Sequence, residues 1–133
     1  MPLEQNSTVS IVDDDASVCD SLGVMLSVFG FDTRTYRSGG EYLADARHRE
    51  PGYLVIDQHM PNVSGLDVVC ALRREGASTP VVLITGRIDE AITERARRLG
   101  VIHVLEKPFP ATRLLELLRA ELGTGGGPPP LPA

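Results

Sequence analysis

Five times in succession a short apolar run gives way to a segment with apolar residues at helical spacing, and no other feature restricts the possible folds so sharply. The runs are Thr8 to Asp13, Asp32 to Tyr36, Tyr53 to Ile56, Thr79 to Ile84 and Val101 to Leu105. The intervening segments are Ala16 to Phe29, Ser38 to Ala46, Ser64 to Arg74, Asp89 to Leu99 and Ala111 to Leu122. In the first of these Val18, Leu22, Met25, Leu26 and Phe29 recur at helical spacing and Gly30 ends the pattern, while Ser38 opens the second as a cap. After Pro80 the fourth run is almost wholly apolar and β-branched, as in a strand buried on both faces. A strand that returns parallel to its predecessor needs a crossover, and right-handed crossovers use a helix. The expected fold is therefore α/β, a five-stranded parallel sheet with helices on both faces.

A chain of 133 residues suits one domain with one sheet, here spanning 1–122. From Gly123 the composition changes to GTGGGPPPLPA, which reads as a linker or a disordered end. A formal net charge of -5 argues against direct nucleic-acid binding. The first residues do not resemble a secretory leader and no apolar run is long enough to span a membrane, so a cytoplasmic location is expected. Cys19 and Cys70 stand apart from other ligand-type residues and read as reduced thiols.

A parallel sheet gathers the carboxyl ends of all its strands on one edge, where open α/β folds place their sites. Asp13 and Asp14 follow the first strand, Asp57 ends the third, Thr85 ends the fourth and Lys107 follows the fifth. Two carboxylates about 4 Å apart repel by roughly 4 kcal/mol at an effective dielectric near 20, so such a cluster calls for a cation. Magnesium suits it, because it takes hard oxygen ligands and works with one or two carboxylates plus a phosphate. The third acid of the run, Asp15, is expected to cap the following helix. His48, His59 and His103 form no metal-binding pattern.

The segments IVDDD, LVIDQHMPNVSGLDV, VVLITG and LEKPF, in that order and spacing, resemble the receiver domain of bacterial two-component response regulators over residues 8 to 122. The TG after the fourth strand and the LEKPF after the fifth resemble most the nitrogen-fixation transcription-regulator type. The resemblance implies a flavodoxin-like strand order 2-1-3-4-5. It implies that Asp57 accepts a phosphoryl group from a phosphohistidine on a sensor histidine kinase or phosphotransfer domain. Asp14 would hold Mg2+ directly and Asp13 largely through water, with Asp57 and the backbone carbonyl of His59 completing the set. Thr85 matches the hydroxyl that bonds the phosphoryl, Lys107 the lysine that pairs with it, and the Lys107–Pro108 peptide is expected to be cis. The chemistry agrees, since phosphoryl transfer asks for in-line placement and neutralised equatorial oxygens, and Asp57 is the acid at the end of the central apolar strand.

Other residues carry further expectations. His59 and Arg87 are placed to tune the rates of phosphoryl gain and loss. Gly65 marks either a close approach or an unusual dihedral, and Met60 is a packing residue, a thioether being a poor partner for a hard cation. Receivers usually carry a ring where this chain has Val104, so activation by a swinging aromatic is in doubt. Charged residues of the fourth and fifth helices, Glu90, Glu94, Arg95, Arg97, Arg98, Arg113, Glu116 and Arg119, suggest a homodimer through the face made by the fourth helix, fifth strand and fifth helix. The first helix, with Cys19, Leu22 and Val24, is the expected dock for the kinase side. Chemistry on other substrates is not expected, only phosphorylation and dephosphorylation of Asp57 itself. Two alternatives stand beside this reading: the receiver half of a transcription factor whose DNA-binding domain lies outside this chain, and a module that binds partners without phosphorylation.

Overall fold

The computed structural model describes residues 8–123. Its strands are β1 (Thr8–Val12), β2 (Asp32–Tyr36), β3 (Tyr53–Asp57), β4 (Val81–Thr85) and β5 (His103–Glu106). They form one sheet in the order β2-β1-β3-β4-β5, with every neighbouring pair parallel. The crossovers carry α1 (Ala16–Val28), α2 (Gly39–Ala44), α3 (Gly65–Arg74) and α4 (Glu90–Arg98), and α5 (Ala111–Gly123) follows the last strand. The expected fold class and strand order both hold.

Side chains alternate across a strand, so each central strand feeds two cores. Val55, Val82 and Ile84 pack with Leu22 and Leu26 of α1 and Leu114 and Leu118 of α5. Leu54, Ile56, Val81 and Leu83 pack on the other face with Tyr42 of α2, Leu66, Val69 and Leu72 of α3 and Ala96 of α4. All five residues of β4 are buried, as its composition predicts. Each buried aliphatic side chain contributes about 1.5–3 kcal/mol, so the sheet is a stiff platform for whatever its carboxyl edge carries.

Several boundaries differ from expectation for identifiable reasons. The predicted second helix is broken: Asp45 leaves helical geometry, its carboxylate accepts from the Arg47 amide, and a 3-10 turn, Ala46–Arg49, follows. The fifth strand starts at His103 rather than Val101, because Gly100 at φ 75 and the Val101 amide bonded to Ala96 O close the end of α4. The fourth begins at Val81, after Pro80, which has no amide to donate. The last helix extends to Gly123, one residue into the segment read as a tail; residues 124–133 lie outside those described.

One expectation about the surface needs correction. Cys19 and Leu22 are buried against the sheet, so the outward side of α1 is made by Val24 and Val28 instead. Helical spacing places Cys19, Leu22 and Leu26 on one stripe and Val24 and Val28 on another, and the sheet covers the first. Cys19 and Cys70 are both free thiols. Among the described residues no helix is long and apolar enough to cross a membrane.

Candidate functional site

Four strand ends deliver the predicted residues to one place. The carboxylates of Asp13, Asp14 and Asp57 offer oxygens that all lie within 4.8 Å of one another. Asp13 and Asp57 are almost wholly buried, while Asp14 is exposed. Lys107 reaches in from the end of β5, with Nζ 3.2 Å from Asp57 Oδ1 and 3.7 Å from Asp13 Oδ2. The Lys107–Pro108 peptide is cis, as the resemblance implies. An open cleft of about 650 Å³ between Arg49–Tyr53 and Gly76–Pro80 lies at the opposite edge and shares no residue with this cluster.

Local bonds explain how the chain tolerates three acids in a row. Asp15 caps α1 by accepting from the Ser17 amide and hydroxyl, as predicted, so the third acid points away from the other two. Asp13 Oδ1 accepts from the Asp15 amide at 2.9 Å, and the Asp13 amide donates to Tyr36 O at 3.0 Å. Arg37 donates to Asp14 O at 3.1 Å, pinning the loop from the neighbouring edge of the sheet. Asp13 Oδ2 and Asp57 Oδ1 are buried with no amide or hydroxyl donor, and the Lys107 ammonium is what faces them.

Burial pushes the Asp13 carboxyl above its ordinary value of 3.8; the Asp15 amide opposes this and the Asp57 charge adds to it. Burial likewise raises Asp57, with Lys107 opposing. For Lys107 burial acts downward, but Asp57 and Asp13 outweigh it and the net shift is upward. Carboxylates within 4.8 Å repel by about 3–4 kcal/mol at an effective dielectric near 20. Two buried, hard carboxylate oxygens that share a single ammonium, with the Asp14 carboxylate beside them, fit a divalent cation such as magnesium.

A stability test follows. A carboxyl whose folded pKa is raised favours the folded state when protonated, so its contribution is complete below the ordinary value and is lost as pH rises through the raised one. The metal-free protein is therefore expected to lose stability with rising pH across that interval. Asp13→Asn keeps Oδ1 for the Asp15 amide and removes a charge, and should stabilise the metal-free protein by about 1–2 kcal/mol at neutral pH. Urea denaturation in the presence of a chelator, at neutral pH and again at pH near 4, checks both signs.

Thr85 is fully buried at the end of β4, and its hydroxyl donates to Arg87 O at 3.0 Å and accepts from the Arg87 amide at 3.2 Å. His59 Nε2 lies 3.0 Å from the same oxygen. It is thus the backbone of Arg87, and the side chain of His59, that the fold brings to Thr85. Val104 is half-buried against the core beneath α3 and α4, and Met60 packs on that core too, as predicted.

Gly65 answers its own question: its φ is not in the left-handed range, and a Cβ there would stand 2.5 Å from Asp57 O. Close approach is the reason for the glycine. Gln58 is a positioning residue that sequence reasoning missed. Its amide donates to Ile84 O at 2.7 Å and its side-chain oxygen accepts from the Leu66 amide at 2.8 Å, fastening Asp57's loop to α3. A glutamine directly after the strand that ends in Asp57 was the available signal.

Several of the charges expected on the dimer face have partners within the chain. Arg95 pairs with Asp67 of α3, and Arg119 sits over the Phe29 ring beside α1. Glu94 binds Arg97 and Arg98 within α4, and Arg113 is 3.8 Å from Glu116 within α5.

Comparison with known proteins agrees with this arrangement. The chain is 33% identical over 122 residues to the C4-dicarboxylate transport transcriptional regulatory protein DctR of Rhodobacter capsulatus, covering 90% of this chain and 62% of that protein. It is 35% identical over 111 residues to the transcriptional regulatory protein FixJ of Rhizobium meliloti, covering 84% and 54%. FixJ among the relatives bears out the resemblance to the nitrogen-fixation regulator type. The chain spans about half to three fifths of the length of these curated relatives. Among solved structures, the FixJ-N crystal structure superposes with a TM-score of 0.77 at 34% identity, covering 86% of this chain and 91% of that one. The chemotaxis protein CheY4 of Vibrio cholerae superposes with a TM-score of 0.79 at 27% identity, covering 86% and 97%. The family model described as the response regulator receiver domain matches residues 9–119, from the first strand into the last helix. With no strand of the sheet left outside that match, the chain belongs to the receiver domain family of two-component response regulators.

Proposed function

We propose that Asp57 is the phosphoryl acceptor of this receiver, and the observation that carries the reading is the pair of buried carboxylate oxygens on Asp13 and Asp57 that converge on Lys107. A carboxylate oxygen of Asp57 attacks phosphorus in line. The P–N bond of a donor phosphohistidine breaks and its electron pair returns to the imidazole, leaving an acyl phosphate on residue 57. Lys107 already stands within ion-pair distance of Asp57, so it meets the incoming phosphoryl without reorganisation. The Thr85 hydroxyl donates to a second phosphoryl oxygen. When bound, magnesium held by Asp13, Asp14, Asp57 and the His59 carbonyl would neutralise charge on the phosphoryl group. Attack of water on phosphorus returns free Asp57 and phosphate, with His59 and Arg87 setting its rate.

The donor is a sensor histidine kinase or a phosphotransfer domain, and the cytoplasm is where it would be met. Relatives named as transcriptional regulators are longer than this chain, which favours transcription control as the output, through a region or partner outside it. A homodimer through α4, β5 and α5 would draw on Glu90, Arg97, Arg98 and Glu116, once the pairs within each helix exchange. A purely phospho-independent binding module is disfavoured, since it would bear to no purpose the cost of two buried carboxylates that share one Lys107 ammonium.

Incubation with acetyl phosphate and magnesium is expected to add the mass of one phosphoryl group, and a chelator should abolish the gain. Uptake that is indifferent to the chelator would count against the acidic cluster as a metal-assisted acceptor site.

A further inference from the structure

A threonine hydroxyl has one proton and two lone pairs, and at Thr85 all three are engaged. The proton goes to Arg87 O, and the Arg87 amide occupies one lone pair. His59 Nε2 approaches to 3.0 Å, and with the hydroxyl proton on the Arg87 carbonyl the compatible tautomer is the one in which Nε2–H donates. His59 belongs to the loop after β3 and Thr85 to the end of β4, so a side chain from the acceptor's own loop spans the site to hold the hydroxyl. No hydrogen-bonding capacity remains on Thr85 for a phosphoryl oxygen unless its proton leaves the Arg87 carbonyl.

We propose that His59 is a positioning residue whose imidazole latches the Thr85 hydroxyl toward Arg87, and that Thr85 bonds a phosphoryl group on Asp57 only after this latch opens. The inference rests on the reading of Asp57 as acceptor. Opening the latch also frees the loop between β4 and α4. Arg87 loses its bond to Thr85, and the loop is then held by the exposed Ile88 amide bond to Glu106, at 3.3 Å. His59 thereby sets how far the resting protein lies from the phosphoryl-bound arrangement.

Removing the imidazole should ease the transition by the worth of one hydrogen bond, a change of about 2- to 10-fold in affinity for a phosphoryl analogue. The test uses beryllofluoride with magnesium on the parent, His59→Ala, Thr85→Val and the double variant, a cycle that separates the latch from mere bulk. His59→Ala is expected to tighten binding in the parent background and to change nothing when Thr85 is already valine. His59→Gln, which retains a donor, should stay close to the parent. A second readout needs neither metal nor analogue: the Arg87 amide, bonded to Thr85, should exchange with solvent faster in metal-free His59→Ala. Equal tightening in both backgrounds would reduce the imidazole to a steric cover and overturn the latch, as would weakened binding or unchanged Arg87 exchange. Failure of the parent itself to bind beryllofluoride would instead overturn the acceptor reading, while the Arg87 exchange rate would still decide the latch.

Discussion

The Asp57→Ala protein, incubated with magnesium and acetyl phosphate, is expected to show no detectable mass gain where the parent gains one phosphoryl group. The loss should be complete because the neighbouring acids cannot substitute. Asp13 has one oxygen tied to the Asp15 amide, and Asp14 is exposed, without the enclosing walls that keep water from competing. Asp57 ends the central strand, buried, with its Oδ1 3.2 Å from Lys107 Nζ. Burial raises its pKa and so works against the ionised form that attack requires, while the Lys107 charge works in favour of that form. Intact mass spectrometry reads the result directly, and equal gain in parent and variant would place the acceptor elsewhere.

Gly65→Ala is expected to have the largest effect of any substitution outside the acidic cluster. The new Cβ would stand 2.5 Å from Asp57 O and 3.0 Å from Leu83 Cδ1. A side chain can turn aside, but the carbonyl of Asp57 belongs to a strand paired with β4 and cannot. Either α3 moves away from the sheet or the end of β3 shifts, and both disturb Gln58, which links the two. Overpacking of this kind costs about 2–3 kcal/mol. Urea denaturation should report that loss, and acetyl phosphate uptake should slow in the variant because Asp57 is displaced relative to Lys107. Unchanged stability and unchanged uptake would mean that the helix start yields without consequence to the acceptor.

Local pattern carried the sheet. Alternating apolar runs and helical spacing identify five strands and five helices, and parallel pairing then brings Asp13, Asp57, Thr85 and Lys107 to one edge. The cap made by Asp15 was equally legible, because capping depends on neighbours one turn away. What escaped depends on contacts between distant segments. The bond from His59 to Thr85 joins residues 26 apart, and that from Arg37 to Asp14 joins residues 23 apart; neither leaves a periodic trace. The burial of Cys19 and Leu22 depends on which stripe of α1 meets the sheet, and apolar residues on more than one stripe of that helix left the choice open. The pairing of Arg95 with Asp67 and of Arg119 with Phe29 shows the same limit for charged faces, where composition marks charge but not the neighbour that takes it up.

Location of the phosphoryl group tests the central claim most directly. Borohydride reduces an aspartyl phosphate to homoserine, a change that survives proteolysis and can be placed by peptide mass. After acetyl phosphate, magnesium and borohydride, the account predicts homoserine at position 57 alone, in the peptide that contains YLVIDQHMP. Homoserine at position 13 or 14, or a stable phosphate on a hydroxyl side chain with residue 57 unchanged, would contradict it.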